Sequence, residues 1–125
     1  MSRVLIVDDD VLMLATLEAM LVDEGFDVVA VDGGRKAISA LQSASFDAVI
    51  VDMVMPGMDG YQTIREFRRI NPTLPIIAMS GVAFQNSTNG KLDFAAMAAK
   101  LGATRILHKP FDQIRLGSAL RACLS

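Results

Sequence analysis

Four of the five apolar runs in this sequence are followed by a polar residue whose side chain could take part in chemistry. Asp8 and Asp9 follow the first run, Asp52 the third and Ser80 the fourth, and Lys109 stands just beyond the fifth. If the runs are parallel strands of one sheet, these side chains meet, because the carboxyl ends of such strands share an edge. An uncompensated acid at the end of a buried strand is unfavourable. Asp52 therefore predicts a site that balances its charge.

Three carboxylates held together favour a divalent cation between them. Asp8, Asp9 and Asp52 would otherwise repel one another and raise each other's pKa values. Ligands that offer only oxygen atoms on a small open site favour Mg²⁺ or Mn²⁺. With the charge of Lys109 and the hydroxyl of Ser80 added, the site would hold the oxygens of a phosphoryl group. Asp52 is then the predicted nucleophile, which attacks phosphorus and forms an aspartyl phosphate.

Short apolar runs alternate five times with segments of helical period. The predicted strands are Val4–Val7, Asp27–Val31, Ala48–Val51, Pro75–Met79 and Thr104–Leu107. The predicted helices cover about 10–24, 33–44, 60–70, 91–102 and 112 onward. Several strands are apolar without alternation, which is typical of a sheet covered on both faces. The alternation predicts an α/β domain with a parallel sheet between two layers of helices.

Composition excludes several classes of function. The 125 residues suit one domain, and the formal net charge is −2 with no basic stripe of the kind that binds nucleic acid. No apolar run approaches the roughly 18 residues of a membrane helix, and the first ten residues lack the features of a signal peptide. We expect a cytoplasmic protein that binds neither DNA nor a membrane. Cys123 is the only cysteine, which excludes an internal disulfide.

Four segments resemble the motifs of the receiver domain of two-component response regulators. They are, in chain order, VLIVDDD, VIVDMVMPGMDG, IIAMSG and ILHKPF. The resemblance covers residues 1–125, which we expect to form one receiver domain. It implies a flavodoxin-like (βα)5 fold: a three-layer, doubly wound, five-stranded parallel sheet with strand order 2-1-3-4-5. The function that it implies is a signalling switch operated by phosphorylation, and not a turnover enzyme.

The resemblance also implies a role for each residue of the site. Asp52 is the phosphoacceptor, Asp9 binds Mg²⁺ directly, Asp8 binds it largely through water, and the backbone carbonyl of Val54 completes the metal site.

Ser80 and Lys109 are implied to contact the phosphoryl group, and Pro110 matches a cis-peptide of the family. The implied phosphoryl donor is a phosphohistidine on a sensor histidine kinase or a histidine phosphotransfer protein. Output is expected through a protein partner on the face of the fourth helix, fifth strand and fifth helix, from a monomer or weak dimer.

The sequence departs from the family pattern at two places. Ile106 stands where the family usually has an aromatic residue, and we expect signalling to depend less on aromatic switching. Ser80 and Lys109 are 29 positions apart, several more than is usual, and the surplus lies in the polar segment 81–90 and its continuation to residue 94. If the chain is the full natural product, it is a stand-alone receiver, whether it acts through a protein contact or within a phosphorelay.

Two other functions compete with the switch. A Mg²⁺-dependent phosphatase would use the same aspartyl phosphate, but such enzymes usually carry a second acid where this chain has Val54. A pseudo-receiver, which binds partners without being phosphorylated, should have lost an acid or the lysine. The motifs also have plainer interpretations when each is taken alone: Asp10 as a helix N-cap, Ser80 as a turn residue, Lys109 as a surface charge and His108 as a partly exposed side chain.

Overall fold

Five parallel strands form the centre of the fold, and helices lie on both sides of them. The computed structural model describes residues 2–55, 58–80, 102 and 104–124. The strands are β1 (Arg3–Val7), β2 (Asp27–Val31), β3 (Ala48–Asp52), β4 (Val54–Met55), β5 (Met58–Asp59), β6 (Ile76–Ser80) and β7 (Arg105–His108). The helices are α1 (Val11–Asp23), α2 (Gly34–Ser43), α3 (Gly60–Ile70) and α4 (Gln113–Leu124).

The main sheet has the order β2-β1-β3-β6-β7, and every pair in it is parallel. With the small β4–β5 pair left aside, this is the predicted order 2-1-3-4-5 of a doubly wound fold. Val7 pairs with Val51, and Ser80 pairs with His108. The carboxyl ends of β1, β3, β6 and β7 therefore lie side by side at one edge of the sheet. This is the arrangement predicted from the polar residues that follow the apolar runs.

Each face of the sheet has its own hydrophobic core. On one face, α1 and α4 cover Val4, Ile6, Ile50 and Met79 with Leu14, Leu17, Leu21, Leu116 and Leu120. On the other, α2 and α3 cover Leu5, Val7, Val49 and Val51 with Ala37, Ile64 and Phe67. Strand β3 lies at the centre, and all five of its residues are buried. This explains its unbroken apolar run and confirms the predicted three layers.

Helix starts follow local capping chemistry. The side chain of Asp10 accepts hydrogen bonds from the backbone N–H of Leu12 and Met13 at the start of α1, which confirms its predicted N-cap role. Asp112 accepts one from the N–H of Arg115 at 2.8 Å. At the other end of α1, Gly25 has a φ of +93°, a conformation that glycine adopts without strain.

Three strands continue one residue beyond the predicted end, to Asp52, Ser80 and His108. Backbone pairing does not depend on side-chain polarity, so a pattern of apolar side chains underestimates these ends. Val54–Met55 and Met58–Asp59 pair as a small antiparallel hairpin, where the sequence predicted only a turn-rich link.

The predicted loop 81–90 lies outside the described residues, as does the predicted fourth helix up to residue 101. None of the helices within the described ranges is long and apolar enough to cross a membrane.

Candidate functional site

Three carboxylates converge at the carboxyl edge of the sheet. Asp8 follows β1 directly and Asp52 ends the neighbouring β3, and each of Asp8, Asp9 and Asp52 offers an oxygen within 4.8 Å of the others. Asp8 is fully buried and Asp52 is 6% exposed, whereas Asp9 is open to solvent. The adjacency of β1 and β3 thus brings together acids that are 44 positions apart in the sequence.

The Asp8 carboxylate is only partly satisfied by the protein. Its Oδ1 accepts a hydrogen bond from the N–H of Asp10 at 2.9 Å, while Oδ2 is buried without a hydrogen-bond partner among the described residues. Burial raises the pKa of Asp8 to about 6. The Asp10 N–H opposes this rise, the charge of Asp52 adds to it, and Lys109 opposes it. A positively charged ligand would offset the cost of burying this carboxylate.

Lys109 reaches the same carboxylates from the far side of the site. Its Nζ lies 3.3 Å from Oδ2 of Asp52 and 3.7 Å from Oδ2 of Asp8, and its side chain is 21% exposed. The peptide bond between Lys109 and Pro110 is cis, as the family resemblance implies. Contact with two buried acids distinguishes Lys109 from a solvated surface charge.

The donor set fits a hard divalent cation. Among the described residues, three carboxylates face the one ammonium group of Lys109, and the Oδ2 atom of Asp8 is buried without a hydrogen-bond partner. The side chains of this cluster offer only oxygen atoms, and exposed Asp9 leaves one side open for water or a phosphoryl oxygen. Mg²⁺ prefers such an arrangement of one or two carboxylates with several remaining positions.

The two other predicted site residues are described only through their backbones. Ser80 is the last residue of β6 and pairs with His108 of β7, which places its backbone at the same edge as Asp52. Val54 begins β4 two residues after Asp52. The side chain of Ser80 lies outside the described residues.

Two polar residues near this edge lie outside the carboxylate cluster. His108 is exposed, where the sequence predicted a partly exposed side chain. Asp32, after β2, pairs with Lys36 at 2.9 Å, and this hydrogen bond and charge lower the pKa of Asp32.

An apolar groove of about 380 Å³ adjoins Lys109 and was not predicted from the sequence. It runs between α1 and the segment after β7, and it is lined by Met13, Thr16, Leu17, Met20, Lys109, Pro110 and Phe111. Beside it, Leu12 at the start of α1 is 79% exposed. The spacing of three or four residues between Met13, Thr16 and Met20 places them on one face of α1, and this was the only sequence pattern that pointed to the groove. That pattern equally fits a helix face that packs into the core.

Ile106 is half-buried and packs against the core on the α2 and α3 side of the sheet. It pairs with Ala78 of β6. Its expected consequence for signalling stays a prediction.

Comparison with known proteins gives one consistent family. A family model described as the response regulator receiver domain matches residues 4–121. The transcriptional regulatory protein ZraR of Escherichia coli (strain K12) is 32% identical over 122 residues. That match covers 98% of this chain but 26% of ZraR, so the chain spans about a quarter of this relative's length.

Two solved structures show the same fold over almost the whole of each chain. The chemotaxis protein CheY4 of Vibrio cholerae has a TM-score of 0.87 and 29% identity, with 99% of each chain covered. The receiver domain of the sensor histidine kinase PA1611 from Pseudomonas aeruginosa has a TM-score of 0.83 and 29% identity. It covers 98% of this chain and 97% of its own, and it is described with a magnesium ion coordinated in the active site cleft.

Proposed function

The chain belongs to the response regulator receiver domain family, and on that premise we propose that it is a signalling switch that accepts a phosphoryl group on Asp52. The observation that carries the proposal is the placement of Asp52: it ends the central strand, is almost fully buried, and lies 3.3 Å from the Lys109 ammonium beside Asp8 and Asp9. Receiver domains of two-component systems are phosphoryl-accepting units, and this geometry supports the same role here.

Asp8, Asp9, Asp52 and the carbonyl of Val54 are the proposed ligands of Mg²⁺, with Mn²⁺ as a substitute. When bound, the cation supplies positive charge to the oxygens of the transferred phosphoryl group. Asp8 contributes a buried oxygen that has no hydrogen-bond partner among the described residues, and Asp9 is exposed to solvent.

A carboxylate oxygen of Asp52 attacks the phosphorus of a phosphohistidine. The P–O bond forms as the P–N bond breaks, and the imidazole leaves. Lys109 then exchanges its contact with Asp52 for one with a phosphoryl oxygen. Ser80, whose backbone ends β6 at the same edge, is the residue proposed to donate its hydroxyl to another phosphoryl oxygen. The switch signals because the phosphorylated form favours a second conformation with different partner affinity.

We propose a sensor histidine kinase or a histidine phosphotransfer protein as the donor. Its histidine must approach Asp52 from the carboxyl edge, so the donor's surface would also cover the start of α1. The exposed side chains of Val11 and Leu12 and the apolar groove beside Lys109 suit such a contact.

We propose that output passes through a protein partner that binds one face of the domain. This face includes β7, α4 and the helix predicted from the sequence at about residues 91–102. Ile114, at the start of α4, is 74% exposed and is one apolar side chain that such a partner could cover. We expect a monomer or weak dimer, at work in the cytoplasm, that does not itself contact DNA.

A turnover phosphatase remains the less favoured alternative. The position two residues after Asp52 is Val54, which cannot transfer a proton, so the proposed protein forms and loses its own acyl phosphate without turning over a phosphate ester.

The test is intact-mass spectrometry after incubation with acetyl phosphate. The wild type should gain one phosphoryl group in Mg²⁺ and none in EDTA, and Asp52→Asn should gain none. Asp32→Asn is the matched control, because it removes an acid next to the same edge that pairs only with Lys36 among the described ion pairs. If wild type gains nothing even from a phosphorylated histidine donor, the switch is refuted and the pseudo-receiver is favoured.

A further inference from the structure

Arg68, in the last turn of α3, holds the chain segment that leads into β7. Its Nε donates to the carbonyl of Gly102 at 3.0 Å, and one terminal nitrogen donates to the same carbonyl. The other terminal nitrogen donates to the carbonyls of Pro72 at 3.1 Å and Asn71 at 3.4 Å. The guanidinium thus bonds to backbone oxygens on two separate stretches of the chain.

The surroundings of Arg68 indicate a structural clamp and not an ion pair. Burial lowers the pKa of Arg68, and the described residues place no carboxylate within ion-pair distance of it. Its neighbour Arg69 pairs with Glu66 on the surface at 2.7 Å. Arg68 instead binds the carbonyls beyond the end of α3, where a positive charge is favourable.

Gly102 is suited to this clamp. Its φ is +98°, and a Cβ atom there would lie 2.6 Å from the Arg68 Nε. The absence of a side chain therefore permits both the backbone conformation and the close approach of the guanidinium.

Two residues after Gly102, Thr104 joins the chain to strand β6. The N–H of Thr104 donates to the carbonyl of Ile76 at 2.7 Å, and the N–H of Ile76 donates to the Thr104 hydroxyl at 3.0 Å. Arg68 also approaches that hydroxyl at 3.5 Å. These bonds fix where β7 begins relative to β6.

Among the described residues, strand β7 has few contacts that hold it in register. It has four residues, lies at the edge of the described sheet, pairs there with β6, and buries Leu107, and Ile106 in part. Lys109 follows this strand directly, and a slip of one residue would move it by about 3.3 Å and turn every side chain of β7 to the other face. A contact of 3.3 Å between Lys109 and Asp52 does not survive such a shift.

We infer that Arg68 is a positioning residue for Lys109: by clamping Gly102 it sets the register of β7, and so places the lysine over the carboxylates of Asp52 and Asp8. The inference rests on the proposed function for its effect on phosphorylation, but its effect on cation binding is independent of that function.

Cation affinity separates this role from simple destabilisation. The Lys109 ammonium occupies the carboxylates that a cation would bind, so withdrawing it should tighten Mg²⁺ binding by about three- to fivefold. A general loosening of the fold would weaken Mg²⁺ binding, because the acids would lose their alignment. The two explanations therefore predict opposite signs.

The experiment is a double-mutant cycle with Mg²⁺ affinity measured by calorimetry. Arg68→Met should tighten Mg²⁺ binding in the wild-type background and leave it unchanged in Lys109→Met. Arg69→Met is the matched control from the same helical turn, and its Mg²⁺ affinity should equal that of the wild type. Weaker or unchanged Mg²⁺ binding by folded Arg68→Met, or an equal effect in both backgrounds, would overturn the inference.

Phosphorylation by acetyl phosphate provides the second readout. Arg68→Met should be phosphorylated about tenfold more slowly than Arg69→Met, with no further loss when added to Lys109→Met. If Arg68→Met does not fold, Arg68→Lys replaces it, because it keeps the charge but only part of the clamp, and intermediate values are expected. If wild type is not phosphorylated at all, the proposed function fails, while the Mg²⁺ cycle still decides the role of Arg68.

Discussion

Removal of the Asp8 charge should stabilise the metal-free protein. Asp8 is fully buried, one of its oxygens has no hydrogen-bond partner among the described residues, and its pKa rises from 3.8 to about 6. A pKa difference of this size corresponds to about 3 kcal/mol of unfolding free energy lost when the carboxyl is ionised. Asp8→Asn can keep the hydrogen bond from the Asp10 N–H, but it adds N–H groups that need partners. We therefore expect Asp8→Asn to raise the free energy of unfolding by about 2 kcal/mol at pH 7.5 in EDTA.

The sign of the pH dependence follows from the raised pKa. As pH rises from 3.8 to about 6, unfolded chains release the Asp8 proton while the native state keeps it, so this residue's contribution to wild-type stability falls across that window. The advantage of Asp8→Asn should therefore be full above pH 7 and nearly absent at pH 4. Urea unfolding followed by circular dichroism at both pH values measures it.

Mg²⁺ provides the internal control for this prediction. A cation that binds only the native state stabilises the wild type according to its concentration, and Asp8→Asn should respond far less because it lacks a proposed ligand. Asp32→Asn, which removes an exposed acid outside the cluster, should show neither the gain in EDTA nor a reduced response to Mg²⁺. Two results would refute the reasoning. The metal-free Asp8→Asn variant could be less stable than the wild type at pH 7.5, or its gain in unfolding free energy could be as large at pH 4 as at pH 7.5.

Three further predictions concern parts of the fold that support the site. Gly117→Ala should change the free energy of unfolding by no more than about 1 kcal/mol, because the new Cβ would meet only the flexible ends of the Glu24 and Arg121 side chains, at 2.5 and 2.9 Å, which can move aside; a loss of more than about 2 kcal/mol in urea unfolding would show that these side chains cannot give way. Asp10→Ala should cost about 1 kcal/mol in the same urea assay, because it removes the cap of α1; an unchanged midpoint would show that the cap contributes nothing. Burial raises the pKa of Cys123, so its reaction with an aromatic disulfide should be slower than that of glutathione at pH 8 and should accelerate as pH rises above 9, since the thiolate is the reactive form; equal rates at pH 8 would contradict this.

Much of the fold was predictable because the signals are local. Strand β2 and helix α3 match their predicted bounds, and Asp10 caps α1 as expected. Periodicity and capping depend on neighbouring residues, so the order of elements and the parallel sheet followed from them. The hairpin of β4 and β5 was missed because two-residue strands are too short to show any period.

The sequence by itself determined which chemical groups the site can contain: carboxylates, an ammonium group and a hydroxyl at the ends of strands. Once the strands are parallel, the edge at which these groups lie is also determined, because right-handed crossovers place every carboxyl end on one side. The ligand chemistry and the choice of Asp52 as the proposed nucleophile therefore follow from the sequence alone.

Only the tertiary structure decided distances and environments between residues far apart in the chain. The contact of Lys109 with Asp52 spans 57 positions and that of Arg68 with Gly102 spans 34, and no local pattern specifies either. The same is true of the burial of the Asp8 oxygen, which has no hydrogen-bond partner in the described part of the chain, and of the groove between α1 and Phe111. Residue types specify which interactions a chain can make. Burial and the distances between charged groups set the energies of those interactions, and both depend on how the layers pack.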